Sequence, residues 1–160
     1  MSQMRDLLQN LGDQGLTLGC VESMTGGLFA AEATAIPGAS SVFKGGIVAY
    51  TPAVKTKVIG VPQEMIDEKG VVSADVAQSM AQRGRRLLGA DIVLAVTGNA
   101  GPTAEPGDAP VGQAYFALAS KEGVWTFGYL FSGERNEIRK AAVDMMVRFG
   151  FSQVARIKAE

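Results

Sequence analysis

The chain of 160 residues contains no histidine. Without imidazole there is no Ser-His-Asp or Cys-His catalytic unit, no His-Glu-x-x-His zinc motif and no histidine-based pH switch. A single cysteine, Cys20, leaves nothing for an internal disulfide or a cysteine-cluster metal site. Charge of one sign is also lacking: 15 basic residues face 16 acidic ones, for a formal net charge of −1. No basic excess is available to attract nucleic acid or an acidic membrane, so neither is expected as a direct partner. No apolar run reaches the roughly 20 residues of a membrane helix. Residues 1–16 are too polar for a signal peptide, and a soluble, cytoplasmic chain is expected. Aromatic residues are few, at 7%, against 20 glycines, which suggests tight turns around a core of Ala, Val, Ile and Leu.

The hydrophobic fraction of 47% is enough to exclude disorder, and the length fits one domain over 1–160. Met4, Leu7, Leu8 and Leu11 form one stripe of an amphipathic N-terminal helix. Thr17-Leu-Gly-Cys-Val-Glu22 reads as a short buried strand, followed by a helix over about 25–35 that Pro37-Gly38 stops. Gly46-Ile-Val-Ala-Tyr50 is a second strand, and Thr51-Pro52 starts a short helix ending at Gly60. Ser73 caps a longer helix whose face comprises Val76, Ala77, Met80, Ala81, Gly84, Leu87 and Leu88.

Asp91-Ile-Val-Leu-Ala-Val-Thr97 is continuously apolar, as a central strand covered on both sides would be. A Gly/Pro-rich loop over 98–110 leads to strands at about 112–119 and 124–131, joined in a hairpin at Lys121-Glu-Gly123. Ser132 opens a last helix with a stripe of Ile138, Ala141, Ala142, Met145, Met146 and Phe149. The alternation predicts an α/β fold, three layers (α/β/α) around a mixed sheet. The modest core and apolar residues such as Phe151 favour a homo-oligomer.

Ligands of such sheets sit beyond the carboxyl ends of strands. Three segments leave those ends: Ser23 to Gly27, Tyr50-Thr51, and Thr97 to Pro102. Ser23 either caps the helix or serves as a nucleophile, with the N–H groups at Thr25, Gly26 and Gly27 placed to hold an oxyanion. A nucleophile here needs a base other than histidine. Lys55 lies three and four residues before Val58 and Ile59, on the same apolar face, whereas Lys57 points away. Desolvation and the helix dipole would favour a neutral Lys55; the alternative is a snorkelling side chain with its head in water.

Tyr50 could donate a hydrogen bond to a substrate or relay a proton, or merely end its strand. Glu22, adjacent to Ser23, should face the other side of the strand and act at a remove at most. Thr97, Gly98 and Gly101 belong to a Gly-rich loop that either binds an anion or simply turns. It lacks the Lys-Ser/Thr ending of a P-loop. Arg135, with Arg139 one turn further on, flanks the last helix's apolar stripe and could reach a phosphate at the sheet edge. Cys20 reads as an inert core thiol.

In order along the chain stand Val21-Glu-Ser-Met-Thr-Gly-Gly27, Gly46-Ile-Val-Ala-Tyr50 with Lys55, Gly60-Val-Pro62, Gly70-Val-Val-Ser73, Gly89-Ala-Asp91, Thr97-Gly-Asn-Ala-Gly-Pro102, Pro110-Val-Gly112 and Ser132-Gly-Glu-Arg135. Over about residues 5–150 the series resembles the C-terminal domain of the competence/damage-inducible protein CinA, the nicotinamide-nucleotide amidase (NMN deamidase) family. The resemblance implies a mixed five-stranded sheet, mostly parallel, between helices. It also implies conversion of a pyridine nucleotide, nicotinamide mononucleotide, to nicotinate mononucleotide and ammonia, in pyridine-nucleotide salvage. The family is described as using a Ser/Lys pair without metal, and no cofactor is implied. Ser23 matches its nucleophile and Lys55 its lysine, five residues after Tyr50.

The sequence departs from the family pattern in several places. Met24 replaces a cysteine, Thr51-Pro-Ala-Val54 replaces Ser-Asn-Glu-Ala, and Asn99 an isoleucine. The loop from Thr103 to Ala109 lacks paired glycines, and Ala109 replaces a lysine. The domain that precedes this one in longer CinA proteins is absent, so the chain is expected to act alone. The competing reading is a non-catalytic nucleotide-binding or interaction module linked to competence or DNA damage. A third is a Ser/Lys amidase of another small amide.

Overall fold

The computed structural model describes residues 2–159. Five strands lie in the order β2-β1-β3-β4-β5, with β1 at Leu18–Glu22, β2 at Phe43–Val48, β3 at Ile92–Gly98, β4 at Gln113–Ser120 and β5 at Gly123–Leu130. β1 pairs in parallel with β2 and β3, while β4 runs antiparallel to both β3 and β5. Four strands therefore share one direction. β3 is central and buried along nearly its whole length, as its unbroken apolar run requires.

Helices cover both faces. α1 (Ser2–Asp13), α2 (Leu28–Thr34) and α6 (Arg135–Ala159) pack on one side, where Leu7, Leu11, Phe29, Leu94, Phe116, Ile138 and Met146 build the larger core. α5 (Ala74–Leu88) covers the other, with Val76, Ala77, Met80 and Ala81 against Val21, Val93 and Ala95. Gly84 lets α5 approach closely, since a Cβ there would meet Val21 Cγ2 at 2.4 Å. One member of the expected α5 stripe falls outside it: Leu87 is 55% exposed, while Leu88 packs against the core. α4 (Gln63–Lys69) is an element the sequence pattern does not announce.

α3 (Pro52–Val54) starts as the Thr51-Pro52 signal demands, the Thr51 hydroxyl accepting from the Val54 N–H at 3.3 Å. It then widens into a π-helical turn at Lys55–Ile59, closed by Gly60 N–H to the Lys55 carbonyl at 3.0 Å. This overturns part of the helical-wheel expectation. In the wider turn Ile59 stays buried with Lys55, while Val58 is 53% exposed.

The hairpin β4–β5 is tied back to the site by Gly112. Its N–H donates to the Asn99 carbonyl at 2.7 Å, and its carbonyl accepts from Phe131 N–H at 2.8 Å. Gly112 has φ +95, and a Cβ there would sit 1.9 Å from the Phe131 carbonyl oxygen. Gly112→Ala is therefore expected to cost at least about 3 kcal/mol, combining backbone strain with overpacking. Thermal denaturation should show a melting temperature lower by roughly 6–12 °C.

Candidate active site

Because β1, β2 and β3 are parallel, their carboxyl ends open on one edge of the sheet. The register Glu22↔Val48 and Val21↔Ala95 brings Ser23 level with Ala49, each one residue beyond its strand, and with Thr97 near the end of β3. Lys55 reaches this point from the π-helical turn. It is 1% exposed, and its Nζ lies 2.8 Å from Ser23 Oγ, 2.8 Å from the Ala49 carbonyl and 3.2 Å from the Tyr50 carbonyl. No carboxylate pairs with it among the described residues. Burial lowers its pKa to about 8.

The three contacts match the bonding capacity of either protonation state. An ammonium donates to all three oxygens. A neutral amine has two N–H bonds and one lone pair, so the carbonyls of Ala49 and Tyr50 take its hydrogens and the lone pair accepts from the Ser23 hydroxyl. Two fixed acceptors therefore aim the basic electron pair at a buried serine. Lys57, as its spacing indicates, is exposed.

The turn after Ser23 is organised differently from the sequence-based expectation. Glu22 is 1% exposed. Its carboxyl oxygens accept from the Thr25 hydroxyl at 2.6 Å and from the N–H groups of Gly27, Phe29 and Ala30 at 3.2, 3.0 and 3.1 Å. Strand alternation does send it away from Ser23, but its length returns the carboxyl group to the start of α2. Gly26 N–H donates to the Ser23 carbonyl at 3.0 Å. Of the three N–H groups expected to hold an oxyanion, those of Gly26 and Gly27 are thus already engaged, and that of Thr25 is not. Among the described residues, the N–H groups of Met24 and Thr25 carry no intramolecular partner. Burial and the neighbouring Glu22 push the Cys20 thiol up, keeping it a protonated core group.

The loop after β3 is likewise a built turn rather than an open anion nest. Asn99 N–H donates to the Gln113 carbonyl at 2.9 Å, and Gly101 N–H to Asn99 Oδ1 at 2.9 Å. Asn99 Nδ2 adds bonds to the carbonyls of Ala109 and Thr103. The buried Thr97 hydroxyl donates to the Val71 carbonyl at 3.0 Å, fixing the 70–73 segment rather than offering itself to a ligand. Gly98 has no room for a side chain: a Cβ would meet Ala114 Cβ at 2.9 Å and Met24 Sδ at 3.0 Å.

Tyr50 stands at the rim, 54% exposed. Its hydroxyl accepts from Arg135 Nη2 at 3.0 Å, so it is the Tyr50 carbonyl, not the hydroxyl, that meets Lys55. Arg135 also donates to the Gly101 carbonyl and has no carboxylate partner among the described residues. Arg139, which the sequence offered only as a neighbour of Arg135, donates from Nε to the Met24 carbonyl at 2.8 Å and from Nη2 to the Thr25 carbonyl at 3.2 Å.

These groups enclose a cavity of about 290 Å³ lined by Ser23, Met24, Tyr50, Lys55, Thr97, Gly98, Asn99 and Arg135. A second cavity of about 500 Å³ adjoins it, sharing Val71, Val72, Gly98 and Asn99 and adding Lys69, Gln113 and Tyr115. Its far wall is the 103–110 loop. No helix among the described residues is long and apolar enough to cross a membrane.

Comparison with known proteins agrees with this architecture. The family model of the CinA C-terminal domain matches residues 2–151. A CinA-like protein of Geotalea uraniireducens is 50% identical over 127 residues, covering 79% of this chain and 30% of the relative. A CinA-like protein of Geobacter sulfurreducens is 47% identical over the same length, covering 79% and 31%. The chain thus spans about a third of the length of these curated relatives. Among solved structures, a CinA superfamily protein from Klebsiella pneumoniae superposes with a TM-score of 0.93 at 28% identity, covering 97% of each chain. A competence/damage inducible protein from Agrobacterium tumefaciens gives 0.90 at 32% identity, covering 94% and 93%. Fold, motif order and sequence likeness agree: the chain belongs to the CinA C-terminal domain family.

Proposed function

We propose that the chain is a Ser/Lys amidohydrolase that converts nicotinamide mononucleotide to nicotinate mononucleotide and ammonia. The observation that carries this reading is the 2.8 Å contact between a buried serine hydroxyl and a buried, unpaired lysine at the mouth of a cavity. Neutral Lys55 takes the Ser23 proton as Oγ attacks the carboxamide carbon. The oxyanion is received by backbone N–H groups of the turn, with Met24, the residue after the nucleophile, as the donor that lines the cavity. Collapse breaks the C–N bond, and Lys55 returns its proton to the leaving nitrogen as ammonia. Lys55 then deprotonates a water that attacks the acyl-enzyme, and returns that proton to Ser23 Oγ as the ester bond breaks and the acid leaves. No metal or cofactor enters this scheme.

The phosphate falls to Arg135, whose charge no carboxylate neutralises among the described residues and whose position is fixed by Gly101 and Tyr50. Thr97 and the 98–101 loop shape the wall instead of binding the anion. Arg135→Ala is expected to raise KM for nicotinamide mononucleotide by about 10- to 100-fold with kcat nearly unchanged, the value of a charge-assisted hydrogen bond. The same substitution should leave the unphosphorylated riboside unaffected.

The experiment is ammonia release from nicotinamide mononucleotide, its riboside, free nicotinamide and a panel of other small amides, with chelator present. Preference for the mononucleotide supports the assignment. Release from another amide alone would move the chain to a different substrate, and release from none would favour a binding module.

A further inference from the structure

Arg139 and Glu22 hold the nucleophile turn from opposite ends, and the mechanism above assigns neither a role. In a trans peptide the C=O and N–H point in opposite directions, so fixing a carbonyl fixes the next N–H. Arg139 holds the Met24 carbonyl through Nε and the Thr25 carbonyl through Nη2. The first bond turns the Thr25 N–H away from the guanidinium. The second fixes the peptide whose Gly26 N–H donates to the Ser23 carbonyl, and that bond orients the Met24 N–H. The guanidinium thus sets both peptide planes flanking residue 25 directly, and the one before Met24 through a single further hydrogen bond. Glu22 meanwhile occupies the donors of Gly27, Phe29 and Ala30, so only the N–H groups just after Ser23 are left for a developing anion. Gly26 belongs to the same device: at φ +60, a Cβ there would press on Arg139 Nη2 at 3.1 Å.

We propose that Arg139 is a positioning residue for the acyl-transfer step, its forked guanidinium presenting the Met24 N–H to the oxyanion formed at Ser23. The proposal rests on the reading of Ser23 as nucleophile and deepens it. Arg139 lies outside the residues lining the cavity, so it acts through the turn and not on the substrate. Lysine cannot replace it, because one ammonium does not span two carbonyls in the fixed geometry of a fork.

The test uses a small alkyl fluorophosphonate on the intact chain, read by mass spectrometry. Ser23 Oγ bonds to phosphorus, fluoride leaves, the hydroxyl proton passes to Lys55, and the phosphoryl oxygen takes the oxyanion position. Arg139→Met and Arg139→Lys are expected to label at least about 10-fold more slowly than wild type, the scale of a displaced oxyanion donor. Methylguanidinium should accelerate labelling of Arg139→Ala again. Labelling of Arg139→Met at the wild-type rate, or a slowing that methylguanidinium leaves untouched, would overturn the positioning role alone. A wild-type chain that forms no adduct at Ser23 would overturn the nucleophile reading, and this proposal with it.

Discussion

Ser23→Ala is expected to lower kcat for ammonia release by at least about 10⁴-fold while leaving KM within about twofold. The hydroxyl is the only group removed, so substrate binding through Arg135 and the cavity walls survives. Lys55→Met should lose activity on a similar scale, because nothing else among the described residues lies within reach to accept the Ser23 proton. The double variant should be little worse than either single one. A base without its hydroxyl, or a hydroxyl without its base, contributes almost nothing, so the two act as one unit and their losses do not add. Steady-state kinetics of the three variants would check this, and losses that multiply would mean that Ser23 and Lys55 work in separate steps.

The second large effect is on pH dependence. Activity through neutral Lys55 should rise with pH and level off above about 8, the value to which burial lowers its pKa. Stability is linked to the same proton. An unfolded lysine titrates near 10.5 and the folded one near 8, so between these values the unfolded chain holds more protons. Stability therefore rises with pH across that window. Below about pH 8 the folded chain carries the full penalty of a buried ammonium, on the order of 3 kcal/mol. In Lys55→Met this rise should vanish, leaving a flatter dependence on pH from 8 to 10.5 in denaturant titrations. Identical slopes in the two proteins would show that the ammonium is solvated in the folded state. The proposed activity thus draws on a group whose burial costs stability at neutral pH.

Much of this was legible in the residues alone. The β3 run from Ile92, the α6 stripe from Ile138 to Phe149 and the Lys121-Glu122 turn each carry a strong local signal, and together they define the layers. Ser23 and Lys55 could be marked because the absence of histidine left few bases and a strand-to-helix turn left few nucleophiles. That they meet was not readable from either segment. It depends on the parallel register of β1 and β2 and on a π-helical turn, which no apolar spacing announces. The same turn is why Val58 faces solvent.

α4 escaped notice because Gln63 to Lys69 is too short and too polar to show a period. The engaged N–H groups of Gly26, Gly27 and Gly101 escaped for a different reason. A glycine-rich loop shows where backbone donors are plentiful, but not whether the Ser23 carbonyl, Glu22 or Asn99 has already taken them. Arg139 could be noted only as a neighbour of Arg135, because its partners are carbonyls 115 and 114 residues away in the chain.

The most direct measurement is ammonia release from nicotinamide mononucleotide by the purified chain and by Ser23→Ala, side by side, with chelator, above pH 8. The Ser23–Lys55 mechanism predicts sustained release by the first protein and none above background by the second. Equal release by both would contradict it.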